Sequence, residues 1–115
     1  MLPQEIIDGI PVLRPKGRFD SYQVAAIDAS MEAIVAESDM PCVVVNFMEV
    51  HFLDAASIDA LFKWRETFIE KGGDIKLSSL RHTVRMSLNI HHLVQFRIYE
   101  DDAQAIADFD NENNE

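Results

Sequence analysis

His51, Asp54 and Ser57 lie three residues apart in turn, and a histidine, an acid and a hydroxyl are the side-chain types of a nucleophilic triad. Nearness along the chain says little about that chemistry, because a triad is defined in space, with the base between nucleophile and acid. His51 therefore reads as a loop or strand-edge residue, and a hydrolase built on Ser57 is the weakest of the functional readings. His82, His91 and His92 lack the paired ligand spacing of a zinc site, so no metal is expected. Neither G-x-x-x-x-G-K-[ST] nor G-x-G-x-x-G occurs, which leaves nucleotide binding without support and no cofactor expected. What remains is Asp54-Ala55-Ala56-Ser57, where a β-branched run gives way to periodic apolar residues. A helix starting there carries unpaired amides and a positive dipole end, which suit a phosphorylated hydroxyl or a partner carboxylate. The plainer alternative is that Asp54 simply caps the helix.

The elements that must hold this junction follow from hydrophobic period. Residues 42 to 47 form an unalternating apolar run, as expected of a strand covered on both faces. Asp54 caps a helix expected over Ala55 to Lys71, with Gly72-Gly73 as its stop and Ile58, Leu61, Phe62, Phe68 and Ile69 as its buried stripe. Arg65 falls on that stripe and must either snorkel, which is the expectation, or meet a buried acid. Upstream, Ile6, Ile7, Ile10, Val12 and Leu13 predict two strands around an Asp8-Gly9 turn, the second stopped by Gly17. Val24, Ile27, Met31, Ile34 and Val35 share one face of a helix that Asp20 or Ser21 can cap and Pro41 closes. Downstream come a strand over 74–80, a helix over 81–90, a strand over 95–99 and an amphipathic helix over 101–109. Helices alternating with strands after an opening pair imply an α/β sandwich.

The 115 residues suit one domain, expected over 1–109, with 110–115 as an acidic flexible tail. A net charge of −10 is concentrated at the end: seven acids and no base lie between Glu100 and Glu115. Such a balance argues against nucleic acid and anionic membrane, both of which need clustered bases. The single cysteine, Cys42, reads as a small core residue in a reducing compartment. With neither a signal-like opening nor a run of about 20 apolar residues, the expected location is the cytoplasm.

Four stretches carry a resemblance that spans nearly the whole chain. They are Gly17-Arg18-Phe19-Asp20; Val43-Val44-Val45-Asn46-Phe47 leading through Phe52-Leu53-Asp54; Lys71-Gly72-Gly73; and Leu80-Arg81-His82-Thr83-Val84-Arg85 with Leu88, Leu93 and Phe96. In order and spacing they resemble the STAS family, the domain of bacterial anti-sigma factor antagonists and of sulfate-transporter cytoplasmic tails. The resemblance implies a STAS-like sandwich, with a mixed central sheet of about five strands and about four helices. It also implies a D-S-[ST]-G signature whose hydroxyl is phosphorylated by a partner kinase that doubles as the anti-sigma factor. In this chain those positions are Asp54, Ala55, Ala56 and Ser57, so neither usual acceptor has an oxygen, and Ser57 is left as a displaced acceptor.

The resemblance further implies a protein-binding regulatory module without catalysis, whose partner is an anti-sigma factor or serine kinase. The expected contact surface is Gly17, Arg18 and Asp20 with Asp54, Ala55, Ala56, Ser57, Asp59 and Trp64. Asp59 either imitates part of a phosphorylated state or, as expected, merely satisfies the helix dipole. Trp64 sits at the edge of the buried stripe, where an aromatic with one wet side either serves as a contact or is simply partly buried. Loss of both acceptors raises a second reading, a structural STAS subunit of a signalling scaffold or transporter assembly.

Overall fold

The computed structural model describes residues 1–90 and 96–113 of the chain, with the side chains of 1–86 and 96–110. His91, His92, Leu93, the side chain of Leu88, the start of the strand expected over 95–99 and the last two residues lie outside the described residues.

Val43, Val44 and Val45 are fully buried, because β4 (Cys42–Asn46) runs through the centre of a five-stranded sheet. The opening strands β1 (Gln4–Ile7) and β2 (Ile10–Leu13) pair antiparallel. Their turn places Asp8 at φ 51° and Gly9 at φ 80°, the two left-handed residues that a tight twisted hairpin demands. β2, β4, β6 (Asp74–Ser78) and β7 (Ile98–Tyr99) are parallel neighbours, so each step between them needs a crossover. α1 (Val24–Glu37), α2 (Ala55–Glu70) and α3 (His82–Ile90) lie within these connections, and α4 (Asp102–Asn113) follows β7. The last helix thus extends past the 101–109 expected from its period.

Two strands escaped the sequence reading. Gly17 does not stop the second strand, which ends at Leu13; with φ 72° it opens β3 (Gly17–Phe19), which pairs parallel with β5 (Val50–Leu53) in a separate two-stranded sheet. Strands of three and four residues are too short to show alternation, and β5 buries only its end residues.

Alternation on the main sheet produces two unlike faces. Leu13, Val43, Val45, Ile75 and Leu77 join the large core beneath α1 and α2, together with Phe19, Phe47 and Phe68. Val12 and Val44 face α4 through Ala105, Ile106 and Phe109. Cys42 is only half-buried at the margin of this smaller cluster, a correction to its expected core position. Ile69, expected in the stripe of α2, is also exposed: Phe68 fills the core, and the next residue is turned about 100° away. Arg65 takes the other course open to it. Its Nε donates to Asp74 Oδ1 at 3.0 Å in a pair largely shielded from water, and its guanidinium lies 5.4 Å from the Phe96 ring centre. At the helix end, a Cβ on Gly73 would stand 1.7 Å from the Pro41 carbonyl oxygen, so the crossover into β6 closes only with glycine there.

The α4 face is also where polar groups are buried. Lys76, fully buried on β6, pairs with Asp108 at 3.0 Å and lies 4.0 Å from the Phe109 ring centre. Asp108 also accepts from the Tyr99 hydroxyl and, at 3.3 Å, from Arg97. Asp102 accepts from Asn46 at 3.0 Å, Ser78 at 2.6 Å and Arg14 at 2.8 Å. Hydrogen bonds from Tyr99 and Lys76 hold the Asp108 carboxyl below its usual range, while burial and then Asp108 push the Tyr99 phenol up to about 12. The stabilisation from neutral Tyr99 is therefore complete below pH 10.0 and lost as pH rises through about 12.

Asp108 is the shared acceptor of Lys76, Tyr99 and Arg97, so its loss removes three bonds at once, whereas an apolar replacement of buried Lys76 leaves Asp108 its bonds from Tyr99 and Arg97 and its access to water. Asp108→Ala is expected to cost about 3 kcal/mol in urea unfolding, the low end for a buried pair because Asp108 is partly exposed, and Lys76→Met about 1 kcal/mol or less. Equal costs would contradict this assignment.

Candidate functional site

The junction between β5 and α2 is organised by Asp54. Its backbone is extended (φ −114°, ψ 171°), and its Oδ1 accepts the Ser57 amide at 2.9 Å, the N-cap arrangement expected from the sequence. Its other oxygen does something the sequence did not announce: Oδ2 accepts the Ser21 amide at 2.9 Å. Ser21 begins a 3-10 turn, Ser21–Gln23, that leads into α1. One carboxylate thus caps α2 and also holds the Ser21 amide, 33 residues away in sequence, at the start of the 3-10 turn.

Neighbouring groups reinforce the tie. The Ser57 hydroxyl is fully buried and shares its proton between Phe19 O at 2.5 Å and Asp54 O at 3.0 Å. Asp20 caps the 3-10 turn by accepting the Tyr22 amide at 3.1 Å, and Arg18 donates to Asp20 at 3.3 Å with its guanidinium 4.2 Å from the Phe52 ring centre. Gln23 Nε2 returns to Arg18 O at 3.1 Å. Gly17, Arg18 and Asp20 are therefore brought beside Asp54 and Ser57 by β3–β5 pairing. Asp59 lies exposed on the next turn of α2, and Trp64, further along, donates its indole N–H to Asp28 of α1 at 2.8 Å.

Desolvation raises the Asp54 pKa, but the hydrogen bonds from Ser57, Ser21 and Ala56 outweigh it and hold the carboxyl below 3.8. The amides at the start of α2 are thus turned toward the chain's own carboxylate, which alters the expectation of an open anion cradle. A triad is not assembled either. The Ser57 proton goes to main-chain carbonyls, and His51 lies exposed on β5 without a hydrogen bond to Ser57 among the described residues. His82 is exposed on α3, and among the described residues no three His, Cys, Asp or Glu side chains converge as metal ligands. No described helix is long and apolar enough to cross a membrane. What the arrangement offers is a braced, partly apolar surface: Tyr22 is 93% exposed, and Ala55 and Ala56 are exposed at the start of α2.

The family model described as STAS domain matches residues 2–105. The chain belongs to the STAS domain family. Solved structures of low identity have the same fold. An anti-sigma factor antagonist from Mycobacterium paratuberculosis is 22% identical over 95% of this chain and 92% of that one, with a TM-score of 0.80. The Bacillus cell fate determinant SpoIIAA in its phosphorylated form is 18% identical over 93% and 97%, at 0.71. A sulfate transporter family protein from Wolinella succinogenes is 19% identical over 90% and 86%, also at 0.71. A comparison with curated proteins gives no match.

Within this STAS domain, sequence reasoning singled out Asp54, Ser57, the Gly17–Asp20 turn and Trp64, but missed the Ser21 amide as a partner of Asp54, Phe19 O as a partner of Ser57 and Asp28 as a partner of Trp64. A main-chain amide or carbonyl leaves no trace in residue type. Asp28 had a faint signal, since it follows Val24 by four residues and so shares its side of α1.

Asp54→Ala removes the α2 cap and the bond to the Ser21 amide, while Asp20 still accepts the Tyr22 amide, and is expected to cost about 1–2 kcal/mol at pH 7 in urea unfolding. Because the folded carboxyl titrates below 3.8, its contribution is present above that pH and lost as pH falls through the folded value. The gap between wild type and Asp54→Ala should therefore close in acid. A gap unchanged between pH 7 and pH 2 would contradict the assignment.

Proposed function

We propose that this STAS domain is a protein-binding regulatory module without catalysis of its own, similar in role to an anti-sigma factor antagonist and lacking the serine phospho-switch. The observation that carries the reading is the state of the hydroxyls at the head of α2. Ala55 and Ala56, the positions that the family resemblance equates with phosphoacceptors, are exposed but carry only methyl groups. Ser57 has the oxygen but is fully buried, and its proton is committed to Phe19 O and Asp54 O. A phosphoryl group on that oxygen would break both bonds and place a dianion beside Asp54, a like charge at short range.

In this reading the partner is an anti-sigma factor or serine kinase in the cytoplasm. It contacts Gly17, Arg18 and Asp20 together with Asp54, Ala55, Ala56, Asp59 and Trp64, and Ser57 acts as a brace. The surface is constitutive: Asp54 fixes both halves, and charge is not added or removed by phosphorylation. Asp59 supplies permanent negative charge to the exposed side of the helix. A second reading, a structural subunit of a scaffold or transporter assembly, draws support from the similarity to the Wolinella transporter family protein.

Affinity capture from native extract, with and without ATP, tests these readings by mass spectrometry of both partner and bait. Wild-type protein is expected to recover a kinase or anti-sigma factor in equal yield under both conditions and to carry no phosphate. Phosphate on Ser57 with ATP-dependent release would overturn the unswitched reading, and recovery of transporter or scaffold subunits alone would establish the second.

A further inference from the structure

α1 and α2 pack side by side on the main sheet but do not close against each other along their outer edges. Between them runs a groove of about 580 Å³. Its apolar lining consists of Val24, Ala56, Ala60 and the Trp64 ring. Small side chains leave the helix backbones accessible at close range, and the Trp64 indole is held in place by its 2.8 Å bond to Asp28. Fixed aromatics beside small residues are the setting in which inserted side chains of a partner contribute most to binding.

The rims are charged, and nearly all of one sign. Asp28 and Glu32 stand on the α1 side, Asp59 on the α2 side, and Lys63 is the one base among the residues lining the groove. Asp28 is engaged by Trp64, whereas Glu32 and Asp59 form no ion pair among the described residues. Val24, Asp28 and Glu32 follow one another at four-residue steps, as do Ala56 and Ala60 opposite. The walls therefore repeat at the pitch of a helix, and a third helix fits between two parallel rows of that spacing better than an extended strand, which seeks a free sheet edge. Acidic rims attract cationic side chains and repel nucleic-acid or lipid phosphate.

We propose that the α1–α2 groove is a docking site for a basic amphipathic helix of a partner protein, with aliphatic side chains seated on Ala56, Ala60 and Trp64 and Arg or Lys side chains along the Glu32 and Asp59 rims. The proposal rests on the reading of this STAS domain as a protein-binding module and names the chemistry of what it binds. It also extends the contact surface onto α1, through Val24, Asp28 and Glu32.

The test uses the full chain, isotopically labelled for NMR, and two synthetic helical peptides of about 18 residues, long enough to hold a helix when bound. Both carry leucines at i, i+4 and i+7; one has Arg and Lys on the flanking positions and its twin has Glu. The basic peptide is expected to shift the Trp64 indole resonance and the amides around Ala56 and Ala60, and to bind roughly tenfold more weakly when salt rises from about 50 to 300 mM. Glu32→Arg with Asp59→Arg, both at exposed positions, is expected to weaken the basic peptide roughly tenfold and to admit its acidic twin. No binding, shifts confined to α4 and the acidic residues after Glu100, or affinities unmoved by the charge reversal would each overturn the proposal. The two readings fail separately. A captured partner that binds the charge-reversed protein as well as wild type removes the groove and leaves the module, whereas peptide binding without any captured partner leaves the groove and removes the module.

Discussion

A single carboxylate with two oxygens 2.9 Å from two amides sets the geometry of this STAS domain's upper surface. Asp54 joins the start of α2 to the turn that opens α1, and neither can move without breaking a charge-assisted hydrogen bond. Ser57 repeats the connection from the other direction by reaching back to Phe19. The exposed residues Tyr22, Ala55, Ala56 and Asp59 are thereby carried on one braced unit instead of on two independent loops. Such bracing lowers the conformational entropy that a partner must remove on binding. It also buries the hydroxyl at position 57, whose proton is shared between two main-chain carbonyls.

The two sheet faces support this surface by different means. Beneath α1 and α2 the core is almost wholly apolar, so the helices are held by area and shape, and the groove above them follows from the small residues at their outer edges. Beneath α4 the same strands turn Asn46, Lys76 and Ser78 toward Asp102 and Asp108. Buried polar groups are costly unless matched, so α4 is restricted to a position that satisfies both aspartates at once. One face holds its helices by apolar area and shape, and the other by matched polar groups.

How much of this the sequence disclosed depended on the range of each interaction. β4 was readable because three valines in succession have few alternatives, and α2 because Asp54, the apolar period and Gly72-Gly73 agree. The crossing of strands and helices followed from those. β3 and β5 were not readable, since their pairing is non-local and each is shorter than the window in which a period can be seen. Arg65 shows the same limit: the period placed it on the buried side of α2, but only the fold brings Asp74 to it. Ile69 failed for a local reason, as Phe68 takes the buried side of the last turn of α2 and leaves the next residue facing solvent. At the candidate site the side chains were legible and their main-chain partners were not, because Ser21 N and Phe19 O carry no signature in residue identity.

Amide hydrogen exchange at Ser21 and Ser57, measured in wild type and in Asp54→Ala, tests the double tie most directly. Both amides should be protected in wild type and lose protection together in the variant, although they belong to different helical starts. If Ser21 remained protected while Ser57 alone opened, Asp54 would be an ordinary cap, and the two halves of the surface would not be joined through it.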